Sequence, residues 1–276
     1  RNILRVALAI GAIAWFGYTY YKPAGGTHAT HATSTASAEP AAPRKLGSLG
    51  FTPCTLAPKL ATSAVEAQCA HFAVPEDYAH PDGRKIELAI AWIPASNDAA
   101  PDPVFMLAGG PGQSALDSYP GIAPAFVETL KKRSVILVDQ RGTGASNLLA
   151  CKNSEGDKSS IDEQASDDPA VVQRFTERCR DSLSAKADLR FYSTTEAIQD
   201  LDAVRTAIGA KQIDLVGISY GTRVAQQYAR RYPQNTRAVV LDSVVPNELI
   251  LGNEFARNLD DALAMTFELC RKTPHC

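Results

Sequence analysis

The sequence has no large surplus of either charge. Its 276 residues carry 28 Lys+Arg against 30 Asp+Glu, a formal net charge of −2. That balance removes the electrostatic case for a nucleic-acid partner, which a basic surplus would have to hold. Cysteine is scarce and never spaced as CxxC: Cys54, Cys69, Cys151, Cys179, Cys270 and Cys276 are the full set. Zinc-ribbon and thioredoxin-type chemistry is therefore disfavoured, and no metal or organic cofactor is indicated. There is no internal repeat. What is present is an apolar fraction of 45% with 21% charged residues, enough to build a buried core in a chain of this length.

Arg1 and Arg5 stand beside an apolar run from Val6 to Tyr18, followed by Tyr20, Tyr21 and Lys22. A basic start before an apolar stretch is the pattern of an export signal. Residues 3–21 are also just long enough to span a bilayer, with aromatics gathered at one end. No small-x-small cleavage site follows at the usual distance. The readings are an uncleaved anchor, a cleaved signal and, third, a buried core helix. The first two imply export, to the periplasm or beyond, and an oxidising compartment. Residues 23–46 are rich in Pro, Ala, Thr and Gly, a composition expected of a flexible tether. His28 and His31 in that tract read as solvated passengers. The expected layout is a signal or anchor over 1–22, a linker over 23–46, a core over 47–250 and a further segment over 251–276.

From Phe51 onward short apolar runs alternate with amphipathic stretches. Strands are expected at Lys85–Ile93, Pro103–Ala108, Ser134–Val138, Ile213–Val216 and Ala238–Leu241. Helices are expected at Ile122–Lys131, Pro169–Leu183, Thr222–Tyr232 and Asn253–Lys272. Another opens on a Ser193/Glu196 capping box, carries Ala197, Leu201, Val204 and Ile208 on one face, and stops at Gly209. Strands separated by helices of ten to fifteen residues imply an α/β fold with a mainly parallel sheet.

The chemistry centres on GISYG, Gly217–Gly221, between the strand IDLV and the helix TRVAQQYARRY. A strand, then G-x-S-x-G, then a helix is the context of a nucleophile elbow. The bend holds Ser219 in a strained conformation, the glycines admit the close passage of strand and helix, and the helix N-terminus offers free N–H groups to an oxyanion. GGPG, Gly109–Gly112, follows the strand PVFMLA, where a backbone N–H can complete an oxyanion hole. A phosphate cradle is a poorer reading, because no GK[ST] follows. In DQRGTGAS, Asp139–Ser146, Asp139 precedes the serine and so stands out of order for the triad acid. Asp139 and Arg141 are expected to pair and hold that loop beneath the site.

GGPG, DQRGTGAS, TTEAIQDLDAVRTAIG, GISYGT and VVLDSVVP, in this order and spacing, resemble the exported α/β-hydrolases of the prolyl iminopeptidase and tripeptidyl aminopeptidase family. The resemblance runs from about residue 50 to 250. It implies Ser219 as nucleophile, the backbone N–H groups of Gly110 and Tyr220 as oxyanion hole, and peptide substrates with a free N-terminus. It also implies a helical lid beginning near residue 251. Ala108 departs from the His that usually precedes GGPG in prolyl iminopeptidases, which tilts the resemblance toward the tripeptidyl branch. After Ser219 the one histidine is His275. The chain is therefore read as the N-terminal part of a longer hydrolase whose Asp and His lie further on, with little turnover by itself. The alternatives are a small-molecule esterase or amidase, and a non-catalytic membrane-tethered binding protein. Nearness in sequence pairs Cys54 with Cys69, Cys151 with Cys179, and Cys270 with Cys276.

Overall fold

The computed structural model describes residues 42–57, 64–151, 168–250, 252–274 and 276. The signal or anchor at 1–22, most of the tether and His275 lie outside the described residues. Among the described residues no helix is long and apolar enough to cross a membrane.

An N-terminal meander comes first: β1 (Arg44–Leu46), β2 (Leu49–Leu56), β3 (Val65–Pro75) and β4 (Lys85–Ile93). The last three residues of the tract read as a tether thus form a strand, with Leu46 opposite Leu49 in β2. β5 (Val104–Leu107) and β6 (Val135–Val138) are short and wholly buried. The segment between them differs from the expected single helix. It is α1 (Ala115–Ile122), a 3-10 turn (Ala123–Phe126) and a single helical turn, α2 (Val127–Leu130). Pro124 has no N–H to continue a ladder, so the apolar pattern that suggests one helix is split there.

α3 (Pro169–Ser184), α4 (Thr194–Ala207), β7 (Ile213–Ile218), α5 (Tyr220–Arg231), β8 (Thr236–Asp242) and α6 (Phe255–Lys272) complete the described chain. The Ser193/Glu196 capping box opens α4, and Gly209 follows its end at φ +76°.

The strand order is β1-β2-β3-β4-β6-β5-β7-β8. β6, β5, β7 and β8 run parallel, as the crossover helices require, while β1 to β4 and the β4–β6 pair are antiparallel. The sheet is therefore mixed, and its parallel half carries every motif singled out above.

Period-2 alternation sends side chains of the central strands to two cores. Phe105, Ile136 and Leu215 join Leu201, Val204, Val224 and Tyr228 of α4 and α5. Val104, Met106, Val135 and Leu137 join Ala115 and Tyr119 of α1. β8 and α6 differ from this pattern. Val240 is 55% exposed, and the α6 face of Phe255, Leu259, Leu263 and Phe267 is unburied among the described residues.

Candidate active site

Ser219 sits between β7 and α5 at φ 54° and ψ −119°, a left-handed conformation rare for a residue with a Cβ. The strain is held by what surrounds it. The Ser219 N–H donates to the Asp242 carbonyl at the end of β8 (2.9 Å), and its carbonyl accepts from Thr222 N–H (2.9 Å) and Thr222 Oγ1 (2.6 Å). Thr222 Oγ1 in turn accepts from Val245 N–H at 2.8 Å, tying the chain after β8 to the same bend.

The flanking glycines are forced by space rather than by their own dihedrals. A Cβ on Gly217 would lie 2.4 Å from the Gly221 carbonyl oxygen, and one on Gly221 would lie 2.1 Å from that of Leu107. Strand β5, the elbow and helix α5 pass too closely for either side chain.

Register explains why GGPG and GISYG meet. β5 and β7 are parallel neighbours with Leu107 opposite Gly217, so the loops leaving both strands emerge side by side. A Cβ on Gly109 would stand 3.1 Å from Ser219 Cβ, which places the glycine loop against the serine. Gly110, at φ +103°, is exposed on that loop. Tyr220 is the first residue of α5; its side chain is buried and its hydroxyl lies 2.5 Å from Thr194 Oγ1. The structure thus brings together Ser219, Gly110 and Tyr220. A half-buried hydroxyl at a strained bend, beside a glycine loop and at the head of a helix, can present an oxygen to an acyl carbon.

The described histidines stand apart from the serine. His71 is exposed on β3 opposite Ala89, and His80 pairs with Asp77 at 2.6 Å on the surface. No described residue hydrogen-bonds the Ser219 hydroxyl.

The expected Asp139–Arg141 pair does not form. Arg141 is fully buried and grips Asp200 through two bonds, Nε to Oδ2 at 2.7 Å and Nη2 to Oδ1 at 2.6 Å. Its remaining donors reach the carbonyls of Pro75, Glu76 and Phe191. Tyr78 donates to Asp200 Oδ1 at 2.8 Å, and burial pushes its phenol well above the usual range. Asp139 instead accepts from Ser114 Oγ and two backbone N–H groups. The reason is geometric: a guanidinium needs a carboxylate facing its fork, and Asp200 on α4 presents one where Asp139 does not.

Asp200, Ser114 and Thr222 were not legible as site-supporting residues from motif position. One signal was there for Asp200: it lies three residues after Ala197, on the apolar face of α4, where an unpaired acid could not stay. Beneath the glycine loop a cavity of about 30 Å³ is lined by Ala108, Gly109, Gln113, Asp139, Thr143 and Asp200 among others.

The three cysteine pairs suggested by nearness in sequence are bonded: Cys54–Cys69, Cys151–Cys179 and Cys270–Cys276. The first joins the neighbouring strands β2 and β3. Bridges of this kind persist in exported and cell-envelope proteins.

Comparison with known proteins agrees with this geometry. Residues 102–268 match the family model of the alpha/beta hydrolase fold. The chain is 30% identical over 246 residues to the serine protease Hip1 of Mycobacterium tuberculosis (strain ATCC 25618 / H37Rv), covering 84% of this chain and 47% of that protein. It is 30% identical over 193 residues to the tripeptidyl aminopeptidase of Streptomyces lividans, covering 64% of this chain and 35% of the relative. Carboxylesterase B of Mycobacterium tuberculosis (strain CDC 1551 / Oshkosh) is 31% identical over 190 residues, 65% of this chain and 36% of its own length. The chain therefore spans about half the length, or less, of these curated relatives. With the family model covering more than half of the sequence, including the elbow and the glycine loop, the chain belongs to the α/β-hydrolase family.

Proposed function

We propose that Ser219 is the nucleophile of an exported serine hydrolase that releases residues from the free N-terminus of peptides. The observation that carries the reading is the strained Ser219 backbone, φ 54° and ψ −119°, locked between β7 and α5 with the glycine loop against it. In the reaction the Ser219 Oγ–H proton passes to a base as Oγ bonds to the acyl carbon. The carbonyl electrons collect on oxygen, facing the N–H groups of Gly110 and Tyr220. The C–N bond then breaks, the amine leaves with a proton, and water hydrolyses the acyl-enzyme. The peptide reading is supported by the names of Hip1 and the tripeptidyl aminopeptidase. The likeness to carboxylesterase B favours the second reading, an esterase or amidase acting on small molecules.

The base and its orienting acid are read as lying beyond Cys276: among the described residues neither His71 nor His80 pairs with Ser219, and His28, His31 and His275 lie outside them. The 276 residues alone are then expected to show little or no turnover. The segment 251–276 is read as the opening of a lid, and residues 1–22 as an export signal or a single membrane anchor.

A fluorophosphonate should label Ser219 in the full-length enzyme and fail on Ser219→Ala, with peptide anilides cleaved only when their N-terminus is free. Equal cleavage of blocked anilides would exclude the exopeptidase reading. Labelling that persists in Ser219→Ala would exclude the nucleophile itself.

A further inference from the structure

We propose that Asp139 is a positioning residue for the oxyanion loop, its carboxylate stapling the far end of the glycine loop so that the Gly110 N–H is held where charge develops. The inference rests on the reading of Ser219 as nucleophile.

Asp139 follows β6 and is 1% exposed, so its charge must be met by neighbours. None of its partners is a cation. Oδ1 accepts from Ser114 Oγ at 2.7 Å and from Leu116 N–H at 3.1 Å, and Oδ2 accepts from Ala145 N–H at 2.9 Å. Leu116 lies in the first turn of α1, where the helix favours negative charge. The carboxylate thus joins two loops, the one leaving β5 and the one leaving β6. Close approach is enforced from the β6 side: a Cβ on Gly144 would lie 1.9 Å from Asp139 Oδ2.

Ser114 is the hinge of the argument. Its hydroxyl donates to Asp139 and accepts from Asp117 N–H at 3.0 Å, so its rotor is fixed while it caps α1. The glycine loop therefore has two anchors. At its start Gly109 abuts Ser219, and at its end Ser114 is held by Asp139. Gly110 lies on the short span between them, and at φ +103° its own conformation is permissive rather than self-locking. With the Asp139 anchor gone, the span loses its reference to the serine. Three donors converge on this group, so a carboxylate fits and an amide does not: Asp139→Asn turns one acceptor into an NH₂ facing another donor.

The test uses the full-length protein and saturation kinetics with a fluorophosphonate, which reads Ser219 without assuming a natural substrate. Asp139→Asn should lower the maximal labelling rate at least about tenfold, since misplacing an oxyanion donor costs rate. The concentration for half-maximal rate should stay within about twofold, because the loop acts on charge development rather than on encounter. Hydrogen exchange should rise in the peptide spanning 109–114 and remain unchanged in β7 and α4. Ser114→Ala, which removes one of the three bonds to Asp139 together with the cap on Asp117 N–H, should shift both readouts in the same direction by less, and serves if Asp139→Asn fails to fold. Unchanged labelling rates would overturn the proposal, as would a loss accompanied by faster exchange throughout the sheet, the mark of a purely structural role. Wild-type protein that takes no label at Ser219 would refute the nucleophile reading instead, and exchange would still report whether Asp139 holds the loop.

Discussion

At residue scale the strongest single commitment is the buried Arg141–Asp200 pair. Both side chains are almost wholly withdrawn from water, and Arg141 also holds three backbone carbonyls from the β3 end and the turn before α4. A buried pair is not in itself a large net stabiliser, because desolvation opposes the attraction. Removing one member is costly, since the other charge is stranded. Arg141→Met should lower unfolding free energy by about 3–5 kcal/mol. Adding Asp200→Leu should restore much of the loss, as urea titrations of the single and double variants would show. A double variant no better than the single would mean that the three carbonyls, rather than the stranded acid, dominate the cost.

Among the elements, the contact that decides the site is helix α5 against strand β5. Gly221 lies inside α5, where replacing glycine by alanine ordinarily helps by about 0.5–1 kcal/mol. Here the new methyl would sit 2.1 Å from the Leu107 carbonyl oxygen, a backbone atom that cannot swing aside. Overpacking of this kind costs about 1–3 kcal/mol, so the clash outweighs the propensity gain. Gly221→Ala should therefore be less stable than the parent in denaturant titration and should react more slowly at Ser219, because the helix head must retreat from β5. The exchange of sign relative to an exposed helical glycine is the informative outcome.

For the whole molecule, the tyrosines set an alkaline limit. Burial pushes Tyr119 and Tyr192 up to about 12, with Glu76 adding to the rise at Tyr192, while Tyr78 and Tyr228 are raised further by burial and by Asp200 and Asp202. In the unfolded chain these phenols ionise near pH ~10. Above that pH the unfolded state has lost protons that the folded state still binds, so stability falls as pH rises. The melting temperature should decline between about pH 10 and 12, with the tyrosinate absorbance of these four phenols appearing together with unfolding. Tyrosinate signal that develops fully near pH ~10 in still-folded protein would contradict the buried phenols.

Local pattern alone determined more of this protein than its charge or composition did. Strand Lys85–Ile93, the Ser193/Glu196 cap and the strand–GISYG–helix sequence are short-range signals, because alternation, capping and tight turns are decided within a few residues. Partner choice is not short-range. That Asp139 would meet Ser114 and Arg141 would meet Asp200, 59 residues away, depends on which strands lie side by side. The same holds for the antiparallel meander β1–β3, whereas the break at Pro124 was local, a missing N–H that the apolar spacing alone did not weigh. The serine was readable because its bend is written in five consecutive residues, whereas the scaffold that aims the loop beside it exists only once β5, β6 and β7 are neighbours.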